Sequence, residues 1–174
     1  MKKILALVLA LMLVLTAVSA LAAGSKGNGD IGQADTDAAD LDLTKAEDTE
    51  GTAAIKQAIK DAQEAGNAID GLPEDVRAQL PEGYATINEM DTYKLAGDYE
   101  NAEEPIILTF KFETPYAEGE EVVLAIGIVP PEAEAEWLVK TGKGNADGDV
   151  EVAVTKAELN KISDNPFVVI PVSK

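Results

Sequence analysis

The sequence contains no cysteine and no histidine. Without cysteine, no disulfide staples the fold and no lipid-bearing thiol anchors it, so stability has to come from a hydrophobic core. Without histidine, the commonest general base and the commonest zinc ligand are missing, and any catalysis falls to carboxylates, lysine or tyrosine. Aromatic residues make up 5% of the chain, which leaves a carbohydrate-stacking face sparse. Positive charge is also scarce: 14 Lys and Arg stand against 32 Asp and Glu, a formal net charge of −18. Such a chain repels nucleic acid and anionic membrane surfaces, which excludes nucleic-acid binding and favours a soluble monomer. No serine sits in a G-x-S-x-G elbow, so nucleophilic acyl transfer has no support.

What is present begins with a leader. Lys2 and Lys3 precede an almost unbroken apolar run from Ile4 to Val18, and Ala20 and Ala22 then form an A-x-A cleavage signal. The apolar run approaches the ~20 residues that span a bilayer, so a membrane anchor is the competing reading. The small-residue exit favours cleavage, giving a signal peptide over residues 1–22, a secreted or extracellular location and no membrane anchor afterwards. Removing the leader takes two lysines and no acid, leaving 12 basic against 32 acidic side chains and a net charge of −20.

Residues 23–51 are rich in Gly, Asp, Ala and Thr and contain no aromatic. They bury too little apolar area to offset their ordering entropy, which predicts a disordered acidic spacer. The alternation in DLDLT offers a short strand as the minority reading. Residues 52–82 predict helix: Ala54, Ile55, Ala58, Ile59 and Ala62 recur at helical spacing, with Thr52 as N-cap and Gly66 as stop. A shorter helix follows Pro73 and ends at Pro81. So narrow a stripe has to pack on something, and a sheet face is the expected support.

From residue 83 to 174 the pattern is β. Ile106, Leu108, Phe110 and Phe112 alternate with polar neighbours, whereas EVVLAIGIV is apolar on both faces, as a central strand covered on both sides would be. Gly127 within it allows a close approach. Ala133, Ala135, Trp137 and Val139 share a face opposite Glu132, Glu134, Glu136 and Lys140, and Val150, Val152 and Val154 point inward. Thr155 and Glu158 form a capping box, and Pro171 puts the last strand at an edge. About seven strands at this spacing predict an α+β chain whose main domain is an immunoglobulin-like antiparallel β-sandwich.

Asn145, Asp147, Gly148, Asp149 and Glu151 match part of a calcium-binding EF-hand loop. Lys143 and Val154, however, stand where the loop needs carboxylates. A hairpin turn at Asp147-Gly148 is the better reading, and calcium on Asn145, Asp147, Asp149 and Glu151 is the one cofactor the pattern allows. The row Glu132, Glu134, Glu136 suits a cation or a basic partner, but more simply keeps a strand soluble. Trp137 reads as core between sheets. Tyr84, Tyr93, Tyr99 and Tyr116 fall near strand starts or turns, and of these Tyr93, Tyr99 and Tyr116 are the candidates for an exposed partner-binding platform. Leu80-Pro81-Glu82-Gly83 lacks the Thr of a sortase signal and reads as a helix stop and turn.

The leader together with LPEGYATINEM, FETPYAEGEEVVLAIGIV, EWLVKTGKG and DGDVEV resembles small uncharacterised exported proteins of anaerobic Gram-positive bacteria, over Leu80 to Lys174. The resemblance implies a compact C-terminal β domain and a secreted or surface life, and assigns no activity or residue roles. Taken together, the residues predict a non-enzymatic binding or assembly module whose partner is a protein, a wall component or a glycan at the cell surface. The alternatives are a carboxylate-based extracellular hydrolase and a calcium-stabilised structural domain.

Overall fold

The computed structural model describes residues 40–131 and 133–174. The predicted signal peptide, residues 23–39 of the predicted spacer, and Glu132 lie outside the described residues. Eight strands alternate with three short helices: β1 (Asp40–Lys45), α1 (Glu50–Glu64), a 3₁₀ turn (Ala68–Gly71), α2 (Glu74–Arg77), β2 (Thr86–Ile87), β3 (Asp91–Asp98), β4 (Ile106–Phe110), β5 (Glu121–Ile128), β6 (Glu136–Gly144), β7 (Val150–Val154), α3 (Lys156–Ile162) and β8 (Phe167–Ser173).

The β-sandwich expectation is overturned. Seven antiparallel strands follow one hydrogen-bonded path, β1-β3-β8-β5-β6-β7-β4, with β2 added on β8. The single sheet curls nearly into a barrel. A sandwich needs a break between two sheets, but β5 pairs with β6 from Glu121 to Ile128 and with β8 from Val123 to Ile128. Alternation of period two reports only which side chains share a face; a barrel wall and a sandwich layer alternate identically.

The inner face is one core. Leu43, Leu95, Ile106, Leu108, Phe110, Leu124, Ile126, Val152 and Phe167 are fully buried within it. Tyr93 of β3 bridges toward the other end of the sheet path, its ring edge-on to Phe110 at 5.3 Å and stacked near Phe167 at 6.1 Å. Its hydroxyl donates to the Lys111 carbonyl at 3.0 Å, just past β4. The Glu89 carboxylate reinforces this seam by accepting from the Glu113 backbone N–H at 2.8 Å. Side chains, rather than a ladder, thus link the β3 and β4 regions.

The outer face of β8, β5 and β6 carries a second core. Ala125, Val168, Ile170 and Val172 meet Ile59 of α1, Leu72 and Val76. The expectation that the helical segment covers a sheet face holds, as does burial of β5 on both faces. A Cβ on Gly127 would lie 3.0 Å from both the Ile55 Cδ1 and the Trp137 ring, so the missing side chain makes room for helix and indole together. Trp137 is half-buried between sheet and helix, not between two sheets.

Several local readings shift. The N-cap of α1 is Thr49, not Thr52: Thr49 N–H donates to Thr52 Oγ1 at 2.8 Å while Thr52 N–H donates back to Thr49 Oγ1 at 3.3 Å. Thr52 is the N3 member of that capping box. Residues 40–51, part of the segment read as spacer, supply β1, which pairs with β3 from Asp40–Asp98 to Lys45–Tyr93, and the approach to α1. Of the row of glutamates, Glu134 lies outside any strand and β6 begins only at Glu136.

Pro171 does not mark an edge strand. β8 runs between β5 on one side and β3 and β2 on the other. The Pro166 carbonyl accepts from Val129 on the β5 side and the Ser173 carbonyl from Ala85 on the β2 side. Backbone groups alternate along a strand, so the Pro171 nitrogen faces the β3/β2 side. There β3 pairing ends at Val169 and β2 pairing starts at Val172, so the missing N–H falls in the gap between two ladders.

The capping box at the start of α3 forms as expected, Thr155 with Glu158. β6 and β7 pair only at Lys143–Glu151 and Gly144–Val150, and α3, which follows β7, sends Leu159 and Ile162 into the inner core. Lys140 on β6 donates to Glu158 at 2.9 and 3.0 Å, and Lys161 lies 3.4 Å from Glu136. The face of β6 read as solvated is therefore tied to α3.

Two predictions follow from this packing. Gly127→Val should destabilise the purified protein by ~1–3 kcal/mol in urea unfolding, through overpacking against Ile55 and Trp137; an unchanged midpoint would contradict the close approach. The second concerns acid. Burial acts to raise the Glu158 carboxyl, but Lys140 and the bonds from Thr155 outweigh it and hold it below the ordinary carboxylate range. A carboxyl lowered on folding contributes stability above its unfolded value and loses it as pH falls through the folded value. Melting temperature should therefore drop on acidification below the carboxylate range, and Glu158→Gln should lower it at neutral pH while flattening that acid limb.

Candidate functional site

The end of the sheet away from the β5–β6 connection carries an open groove of about 720 Å³. Four segments build it. The turn at Pro81–Tyr84, closed by Tyr84 N–H donating to the Pro81 carbonyl at 3.2 Å with Gly83 at φ 87°, delivers the Tyr84 ring to one wall. Ser173 and Lys174 end β8 beside it, with the Lys174 ammonium 5.4 Å from the centre of that ring. The opposite wall is Gly119, Glu120, Glu121 and Lys143.

This second wall is held by backbone. Gly119 N–H donates to the Gly144 carbonyl at 2.8 Å and Gly144 N–H to the Glu120 carbonyl at 2.9 Å, which extends the β5–β6 ladder into the loop. A Cβ on Gly144 would lie 2.2 Å from the Ala117 carbonyl oxygen, so only glycine permits the approach. Glu120 also fixes the loop by accepting from Ala117 N–H at 2.9 Å.

Register sets the charges. Glu121 stands opposite Lys143, Lys143 opposite Glu151, and Glu151 opposite Thr109, a row across four strands. Continuing the Val123–Val172 pairing brings Lys174 level with Glu121, so the signs alternate from β8 to β7. Alternating signs on adjacent strands favour this register. Even so, among the described residues neither the Glu121 carboxylate nor the Lys143 ammonium makes a hydrogen bond or ion pair.

The sequence candidates fall elsewhere. Asn145, Asp147, Asp149 and Glu151 share the β6–β7 hairpin, and Gly148 takes a positive φ of 86°, as a turn there requires. Asn145 Oδ1 accepts from the N–H groups of Asp147 and Asp149, each at 3.0 Å, and its Nδ2 donates to Glu151 at 3.2 Å. Asn145 Oδ1 and one Glu151 oxygen, two of the candidate ligand atoms, are thus already engaged within the turn. Burial raises the Asp149 carboxyl, opposed by Lys111 and assisted by Asp147 and Glu151. No group of three or more potential metal-ligating side chains is found among the described residues.

The tyrosines divide. Tyr93 is fully buried, so it cannot be a partner-binding residue; burial, with the nearby Asp91, Glu89 and Asp149, pushes its phenol well above the ordinary range. Tyr116 is half-buried edge-on to Phe112 at 5.8 Å, its phenol pushed up to about 12 by burial and by Glu89 and Glu120. Tyr99 packs on the inner core and donates to Asn160 at 2.8 Å. They do not form one platform. Tyr84, the remaining tyrosine, is the one in the groove.

Sequence reasoning missed Glu120, Glu121, Lys143, Ser173 and Lys174 as groove residues. Only cross-strand register joins them, and polar alternation alone reads each as a solvated side chain. Asp48, Asp149 and Glu158 carry displaced carboxyls, and all lie outside the groove. Asp48 is lowered by hydrogen bonds from Lys56 and Thr92 against the effect of burial. Compared with known protein families, curated proteins and solved structures, the chain matches none of them.

The hairpin geometry predicts that about 10 mM calcium leaves the melting temperature unchanged, because Asn145 and Glu151 already bond each other and the described residues bring no three potential ligands together. A site with Kd near ~1 mM would raise it by about 5 °C. Asn145→Ala should cost ~1–2 kcal/mol through two stranded backbone N–H groups.

Proposed function

We propose that the protein is an exported, non-enzymatic module that binds a partner outside the cytoplasm through the groove at the rim of its curled sheet. One observation carries the reading: Glu121 and Lys143, opposite charges on adjacent strands, face the groove without neutralising each other or any neighbour. Paired strands fix the backbone positions of both residues, so a ligand orders only their side chains and not the chain beneath them. The groove's volume lies within the range of small-molecule and short-polymer sites. Export rests on the leader sequence, and the binding role on the groove together with the absence of histidine and cysteine.

A carboxylate-based hydrolase would require an acid and a base positioned about a scissile bond, with pKa values set apart. Neither displaced pair, Asp48–Lys56 or Glu158–Lys140, opens into the groove.

Fractionating a culture should recover the chain in wall or medium with its N-terminus at Ala23, or at Leu21 for the earlier cleavage; recovery of the uncleaved polypeptide from the cell interior would overturn export. Immobilised protein should retain a component of the extracellular fraction, and Lys143→Glu should reduce its retention at least several-fold while staying folded, its melting temperature lowered by about a few degrees because it sets like charges opposite Glu121 and Glu151. Equal retention by the variant would remove the groove from the reading. Turnover of an extracellular polymer that Glu121→Gln abolishes would replace binding by hydrolysis.

A further inference from the structure

The chemistry of the groove narrows its ligand, an inference that rests on the binding reading above. A simple anion is disfavoured, because Glu120 and Glu121 line the same groove as Lys143 and Lys174 and the whole chain carries −18. A simple cation meets the two lysines. A stacked sugar needs the open face of an aromatic ring, and the Lys174 ammonium already sits over Tyr84, the one aromatic in the groove. What the groove offers is a carboxylate and an ammonium, unpaired, side by side on strands that lie about 4.8 Å apart.

We propose that the groove takes a small zwitterion, the ammonium and carboxylate of an amino acid or of a short peptide, with the ligand's ammonium on Glu121 and its carboxylate on Lys143. Glu120 is fixed by Ala117 N–H and presents a second acceptor in the same groove; Ser173 and Lys174, on the β8 side next to Glu121, close its other flank, with the Lys174 ammonium turned over the Tyr84 ring. The ligand completes the alternation that the register starts, because each of its charges meets the opposite charge on the adjacent strand. Neither of its ends would bind well alone. An N-terminus without a carboxylate leaves its body against Lys143, and a carboxylate without an ammonium is repelled by Glu121.

The test is a titration of the ¹⁵N-labelled protein with alanine, with trialanine, and with trialanine acetylated and amidated at its ends. The expected result is a saturable movement of the Gly119, Glu121 and Lys143 amide signals by alanine or trialanine at millimolar concentration. Blocking the ends, or substituting Glu121→Gln or Lys143→Gln, should weaken binding by about five- to tenfold. Preference for trialanine assigns a peptide, and equal binding assigns the amino-acid head alone. If the blocked peptide binds as tightly as the free one, the zwitterion is wrong while the groove remains a binding site. If no probe moves these signals at about 20 mM, the zwitterion is likewise overturned. The binding reading fails separately, when Lys143→Glu leaves retention of the extracellular component unchanged.

Discussion

Strand β5 is the constraint on which the rest depends. Its seven residues from Val122 to Ile128 are buried, and they alternate between two cores: Val122, Leu124, Ile126 and Ile128 face the barrel interior, while Ala125 and Gly127 face the helical layer. A strand solvent cannot reach on either face must be paired on both edges and covered on both sides, since an unpaired buried backbone group costs about as much as a lost hydrogen bond. β8 and β6 supply the pairing. The curl of the sheet and α1 supply the cover. Gly127 sets how closely α1 and Trp137 approach, and so fixes the outer layer to the same strand.

That arrangement fixes the groove end of the sheet as well. The β5–β6 register that buries Ala125 against Val139 also sets Glu121 opposite Lys143. A slip of one residue would turn Val123 and Ala125 to the other face, so the groove charges inherit their placement from the core. The loop glycines refine it: Gly144 passes against Ala117, and the bonds between Gly119, Gly144 and Glu120 carry the ladder one step beyond the strand ends. The backbone beneath the groove is held by the same pairing that holds the core.

The other ionic contacts serve the architecture. Lys140–Glu158 and Lys161–Glu136 tie α3 to β6, where β6 and β7 pair over only two residues. Lys56–Asp48, with Thr92 donating to the same carboxylate, ties α1 to β3. In a chain so rich in acid, much of its scarce positive charge goes to such cross-element ties. Lys143 and Lys174 are exceptions at the rim, Lys143 without an ionic partner among the described residues and Lys174 over the Tyr84 ring.

The sequence by itself determined the leader pattern, the absence of cysteine and histidine chemistry, the two-faced burial of β5, the helical cover, the capping box of Thr155 and Glu158, and the turn at Asp147-Gly148. Each is a local or periodic property, written in neighbouring residues. Tertiary structure decided what lies across space. It closed one sheet toward a barrel, because inward and outward alternate identically in a barrel and a sandwich. It placed Pro171 inside the sheet, because a gap between two partner strands spares the missing N–H. It buried Tyr93 and joined Tyr84, Glu121, Lys143 and Lys174 from four separate segments, because strand register, which no local pattern encodes, chooses the neighbours of an exposed side chain.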